Sequence, residues 1–149
     1  LQLLCNFNQQ LNVNTLGEQQ SLHYMLQEAQ RLCRPGTRLY IISDFHDLQE
    51  SANPILHQLS QHCDITAIHI SDPLEHHLPA KGQYPAFTGR SKVVLDSQNQ
   101  ASRLRWQQGF EMQLSLLKKQ LGQFGIPLIP VTTVDAPLNV LQTFFGAKR

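Results

Sequence analysis

Three aspartates stand where chemistry is possible. Asp44, Asp72 and Asp135 each follow a short apolar run, in the contexts Ser43-Asp44, Ser71-Asp72-Pro73 and Asp135-Ala136-Pro137. Carboxylates at strand ends can hold a divalent cation for phosphoester hydrolysis, provided at least two of them converge with the metal. Each also has a plain structural reading. Asp44 can cap the segment after its strand, and Asp72, placed before a proline, can start a turn. The seven histidines raise zinc, but no pair has the i, i+4 spacing of a helical metal site. His57 and His62 lie five apart, about 140° around a helix axis. His76 and His77 are adjacent and point to opposite sides of an extended chain, while His69 alternates within a strand as a packed sheet-face residue. Cys5, Cys33 and Cys63 are odd in number and widely spaced. They form neither a zinc pattern nor a disulfide framework, and read as buried free thiols in a reducing compartment. No Gly-x-Ser-x-Gly elbow, Walker loop or activated cysteine motif is present.

The elements that must position these residues follow from periodicity. Thr15-Leu16-Gly17-Glu18 has the form of a capping box. Leu22, Met25, Leu26, Ala29 and Leu32 continue it as one apolar helical stripe, which Arg34-Pro35-Gly36 stops. Arg38 to Ile42 reads as a buried strand. Asn53-Pro54 looks like an N-cap with proline at the first helical position, followed by Ile55, Leu56 and Leu59 on the inner face. Ile65 to Ile70 is a second strand. Gln83 to Thr88 and Ser91 to Asp96 flank Gly89-Arg90 as a hairpin. Ser97 to Gln100 offers a second capping box. It opens a long helix in which Trp106, Phe110, Leu114, Leu117, Leu121 and Phe124 form a core-packing stripe, closed by Gly125. Ile126 to Val131 is a third strand, at a sheet edge because Pro127 and Pro130 cannot donate to a ladder. Asp135-Ala136-Pro137 starts a last helix, through Leu138, Leu141 and Phe145. Helices alternating with strands predict a parallel sheet with right-handed crossovers, whose C-terminal rim gathers the three aspartates.

The 149 residues fit one domain. With a net charge of +1 and scattered basic residues, the chain has no electrostatic footprint for nucleic acid. No run approaches the ~20 apolar residues of a membrane span. The chain opens at Leu1 without methionine and reads as a piece of something longer.

The run Arg34-Pro35-Gly36-Thr37-Arg38-Leu39-Tyr40-Ile41-Ile42-Ser43-Asp44-Phe45 resembles the fourth strand of a von Willebrand A-like domain. Ser71-Asp72-Pro73-Leu74-Glu75, with Leu78-Pro79, resembles the domain of unknown function 58 family in particular. So does the later order of a glycine-bearing hairpin, a Val-Leu-Asp strand end and a helix with Arg103 and Arg105 near its start. The resemblance spans roughly residues 15 to 149. It implies a partial von Willebrand A-like (Rossmann-like) three-layer α/β fold, with a three-stranded parallel core and a β-hairpin excursion, lacking its first strands. In that pattern a metal site at the rim takes ligands from an Asp-x-Ser-x-Ser loop, a threonine and the aspartate after strand four. Asp44 matches the aspartate and Thr15 the threonine; the Asp-x-Ser-x-Ser element is nowhere in this chain. Magnesium demands six oxygens in near-octahedral geometry, so no tight site is expected here. The resemblance implies Mg²⁺ only in a longer parent, with Asp44 and Thr15 as latent ligands.

Two functions follow. The resemblance implies a non-catalytic, cytoplasmic protein-binding module acting with a MoxR-type AAA+ ATPase in complex assembly, through a partner-binding edge at Asp44, Asp72 and Glu75. The alternative is a metal-assisted phosphohydrolase using Asp44, Asp72 and Asp135. In the resembling sheet, of order 3-2-1-4-5-6, the Arg38 to Ile42 strand is central. Without the first strands it exposes an apolar edge, which predicts self-association or an N-terminal rearrangement.

Overall fold

The computed structural model describes residues 21–79, 82–87 and 92–146. Helix α1 (Leu22–Leu32) begins at Ser21, not at the Thr15 capping box that the sequence suggests; Thr15 itself lies outside the described residues. The Ser21 hydroxyl accepts from the Tyr24 amide at 3.3 Å, and the Leu22 amide donates to Asp47 at 2.6 Å. Two free amides of the first turn are thus satisfied, one by Ser21 and one by Asp47, with Ser21 as the cap. The turn at Gly36 has φ +85°, a left-handed conformation that suits glycine.

Strand β1 (Arg38–Ser43) is followed by a one-turn 3₁₀ helix (Glu50–Ala52) that runs directly into α2 (Asn53–Ser60). Asn53 is therefore the first helical residue and not the cap, and Pro54 stands second. The Asn53 side chain is drawn away instead, accepting from Gln120 Nε2 at 2.7 Å. Strand β2 (Asp64–Ser71) is nearly continuously buried, as befits a central strand covered on both faces. After a single turn, α3 (Pro73–His76), strands β3 (Gln83–Phe87) and β4 (Lys92–Asp96) pair antiparallel, with Gln83 opposite Asp96 and Phe87 opposite Lys92. The expected hairpin is present; its Gly89-Arg90 turn lies outside the described residues.

The long helix α4 (Gln100–Gly122) is capped by Asn99, whose side chain accepts from the Ala101 amide at 2.8 Å. Ser97, expected to cap, is instead fully buried. Its hydroxyl accepts from the Gly82 amide and donates to the Gly82 carbonyl, at 3.0 and 3.1 Å, tying the hairpin base to the helix entrance. The predicted stripe on α4 packs inward at its C-terminal half, where Leu121 is buried and Leu117 and Phe124 flank the core. Trp106 lies near the other end of the helix, 36% exposed. Gly125, at φ +69°, makes the left-handed turn into β5 (Leu128–Thr132), and α5 (Pro137–Phe145) closes the chain.

The sheet order is β1-β2-β5, all parallel, with Ile41 beside Ala67 and Ile68 beside Ile129. Residue parity separates its two faces. Ile41, Ile65 and Ala67 point toward α1, α2 and α4, joining Leu26, Leu56, Leu59, Leu121 and Ile126 in the main core. Ile68, Ile129 and Val131 point the other way, against Val140 of α5. Full burial of a side chain such as Leu56 stabilises by about 2 kcal/mol. The result is a three-layer α/β fold with a three-stranded parallel core and a β-hairpin excursion. Pro130 sits on the outer strand, as its missing donor requires. Among the described residues, β1 pairs only with β2, so its other edge has no strand beside it.

Candidate functional site

Because the three strands run parallel, Asp44, Asp72 and Asp135 follow their ends at one rim, as expected. Their surroundings differ. Asp44 is exposed in a tight turn, where its Oδ1 accepts from the His46 amide at 3.2 Å and from the Ser43 hydroxyl at 3.4 Å. The Ser43 hydroxyl in turn accepts from the Phe45 amide at 3.0 Å. Phe45 has φ 57°, a left-handed conformation costly for a bulky side chain. It is compensated by burial, since the ring is only 6% exposed.

Asp72 is occupied. Its Oδ1 accepts from the Leu74 amide at 2.8 Å, Glu75 Oε1 accepts from the Asp72 amide at 2.9 Å, and Thr133 donates to Asp72 Oδ2 at 3.2 Å. The first two are a capping box for α3, so the turn-starter reading of Asp72 describes its contacts. Asp135 accepts from both the amide and the hydroxyl of Thr132, at 2.7 and 2.8 Å, and these bonds hold its carboxyl below the usual range. Among the described residues, no group of three or more His, Cys, Asp or Glu side chains could hold a metal ion. Thr15 lies outside them. Among the described residues, the side chains at the rim do not assemble the octahedral shell that magnesium needs.

A histidine cluster occupies the same rim, a feature the sequence reading did not assemble. His69, on β2, is 5% exposed, with Nδ1 buried and unpartnered. Phe45 stacks near it, with centroids 6.3 Å apart, and Phe110 of α4 lies 6.2 Å away on a tilt. Burial lowers the His69 pKa; Glu75 and Asp44 oppose the shift, while His46 and His76 add to it. His76 shares a 2.8 Å hydrogen bond with the Ser71 hydroxyl and rests on Phe110 at 4.0 Å. His46 Nε2 lies 3.6 Å from Glu75 Oε2, and the Trp106 indole donates to the Leu74 carbonyl at 3.0 Å. Together these contacts fasten α3 between the rim and α4. Beside them is a small cavity of about 210 Å³, lined by Asp44, Phe45, His46, His69, Phe110 and Gln113 among others. One signal was available in the sequence: His69 has the parity of Ile65 and Ala67, which places it on the core face at the rim end.

A larger groove of about 860 Å³ runs along β1 and α1. Leu22, Met25, Leu26, Tyr40 and Ile42 line its length, with Ser43, Asp44 and Asp47 at the rim end. At the opposite end of the sheet, Cys33 and Cys63 are free and half-buried, more accessible than the buried thiols expected. Cys5 lies outside the described residues. No described helix is long and apolar enough to cross a membrane.

No protein-family model and no curated protein matches the chain. Among solved structures, the chain is similar to the conserved hypothetical protein BatB from Bacteroides thetaiotaomicron, with a TM-score of 0.43 at 12% sequence identity. The similarity covers 81% of this chain and 54% of that one, so this chain spans about half the length of its neighbour.

Proposed function

We propose that the chain is a non-catalytic protein-binding and scaffolding module of von Willebrand A-like type, acting with a MoxR-type AAA+ ATPase in complex assembly. The observation that supports the reading is the character of the rim. Asp44 stands exposed on a strained turn, beside a surface fastened by the α3 contacts and next to a cavity with aromatic walls. Rigid, partly apolar surfaces with a few polar groups suit recognition, because little ordering entropy is lost on binding. The hydrolytic alternative needs at least two convergent strand-end carboxylates. Asp44, Asp72 and Asp135 are each engaged by local hydrogen bonds, and among the described residues no three His, Cys, Asp or Glu side chains gather to hold a metal ion. The adaptor reading places the module in the cytoplasm, where an ATPase partner finds its nucleotide. It also makes the outer edge of β1 the surface through which copies of the chain associate.

The test is a calorimetric titration of the purified chain against a MoxR-type AAA+ ATPase, with and without ATP. Binding in the micromolar range that weakens roughly tenfold or more in Asp44→Ala, as at an interface hot spot, is expected. A natively folded chain that binds no such ATPase in any nucleotide state would overturn the reading.

A further inference from the structure

The end of the sheet far from the rim brings two cysteines together from distant parts of the chain. Cys33 caps the C-terminus of α1, and Cys63 immediately precedes β2. Two backbone hydrogen bonds fix the intervening loops against each other, and one side-chain contact joins them. The Gly36 amide donates to the His62 carbonyl at 2.8 Å, and the Asp64 amide donates to the Thr37 carbonyl at 2.9 Å. The Cys63 sulfur itself lies 3.9 Å from the carbonyl oxygen of Arg34, the residue next to Cys33. Both side chains pack against the same core cluster, both are half-buried, and both are free thiols.

We propose that Cys33 and Cys63 are a redox pair that closes to an intramolecular disulfide under a disulfide oxidant such as oxidised glutathione. One cysteine thiolate attacks a sulfur of the oxidant, breaking its S–S bond, releasing one reduced glutathione and leaving a mixed disulfide on the protein. The neighbouring cysteine, as thiolate, then attacks the protein-side sulfur of that mixed disulfide and releases the second glutathione. Two protein thiols are oxidised, one glutathione disulfide is reduced, and the two thiol protons end on the two glutathiones.

The neighbourhood sets the character of the pair. Burial, and then proximity to Cys33, raises the Cys63 pKa, so its thiolate is scarce near neutrality. Closure is therefore slow at neutral pH and faster as pH rises. The bond would join the end of α1 to the start of β2 and close a loop containing β1 and α2, restricting the unfolded chain far more than the folded one.

The experiment uses the full chain with Cys5→Ser, which removes the third thiol. The protein is equilibrated in a glutathione redox buffer at about pH 8.5, quenched, alkylated and digested with trypsin under non-reducing conditions. The expected product is one peptide pair joining residues 32–38 to residues 39–81, in monomeric protein, with a melting temperature raised by about 5–10 °C. Dithiothreitol should reverse both changes. In the further variant Cys63→Ser, Cys33 should stop at a single glutathione adduct. Two separate adducts in the Cys5→Ser protein, two thiols still free at equilibrium, or disulfide-linked dimers in place of the internal link would each overturn the proposal.

Discussion

Replacing His69 by phenylalanine separates the electrostatic cost of the rim histidine from its packing. The ring sits on the central strand, 5% exposed, between Phe45 and Phe110, with Nδ1 unpartnered. Burial holds its pKa below the ordinary histidine value, so near that value the unfolded chain binds a proton that the folded chain refuses. Stability from this site is therefore fully present above the unfolded pKa and is lost as pH falls through the folded one. Inside that window one proton changes stability by at most about 1.4 kcal/mol per pH unit. His69→Phe removes the titration, keeps an aromatic ring in the slot and deletes the orphan nitrogen. At about pH 8 the variant should lie within about 1 kcal/mol of the parent. Urea unfolding of both proteins at steps from about pH 8 to about pH 5 yields the difference curve. That curve should be flat on the alkaline side and then bend so that the parent loses stability relative to the variant. Parallel parent and variant curves across the whole range would refute the account, as would a bend of opposite sign.

The remaining predictions use the same urea assay except where stated. Ser97→Ala strips the Gly82 amide of its hydroxyl partner in a fully buried setting and should cost about 1–3 kcal/mol; a change within error would mean that the hairpin base is not held there. Asp72→Ala removes the α3 cap and the Thr133 bond, for about 1–2 kcal/mol, and should release His46 from Glu75 as seen in its imidazole NMR shift. Leu56→Ala, at a side chain 1% exposed, should cost about 2–5 kcal/mol. Ile42→Lys places a charge on the outer strand at a position 65% exposed and should shift the chain toward monomer in light scattering, if the edge of β1 is where copies associate.

Much of the fold was legible because its strands are short apolar runs between clear helical stripes. Parallel order, the edge placement forced by Pro130 and the antiparallel pairing of β3 with β4 all followed from local pattern. Caps were misread wherever several short polar residues competed. Ser21, Asn53, Ser97 and Asn99 are all plausible caps by type, and only tertiary partners decide among them. Asn53 is recruited by Gln120, and Ser97 by Gly82, 15 residues away. The candidate site was legible in its carboxylates and not in its imidazoles. Asp44 and Asp72 announce themselves at strand ends, whereas His46, His69 and His76 meet only after β1, β2 and α3 are folded beside Phe110. The Cys33 and Cys63 neighbourhood was hidden for the same reason, since no sequence spacing encodes contact between the ends of two different crossovers.

The hydrogen bond from the Trp106 indole to the Leu74 carbonyl has a practical side. Trp106 is the single tryptophan of the chain, so its emission comes from one place, the seam where the long helix grips the short turn after β2. Loosening that seam, through acid, a substitution in the turn or a protein seated on it, would expose the indole to water and shift its fluorescence to the red without any added label. The molecule thus carries its own optical gauge.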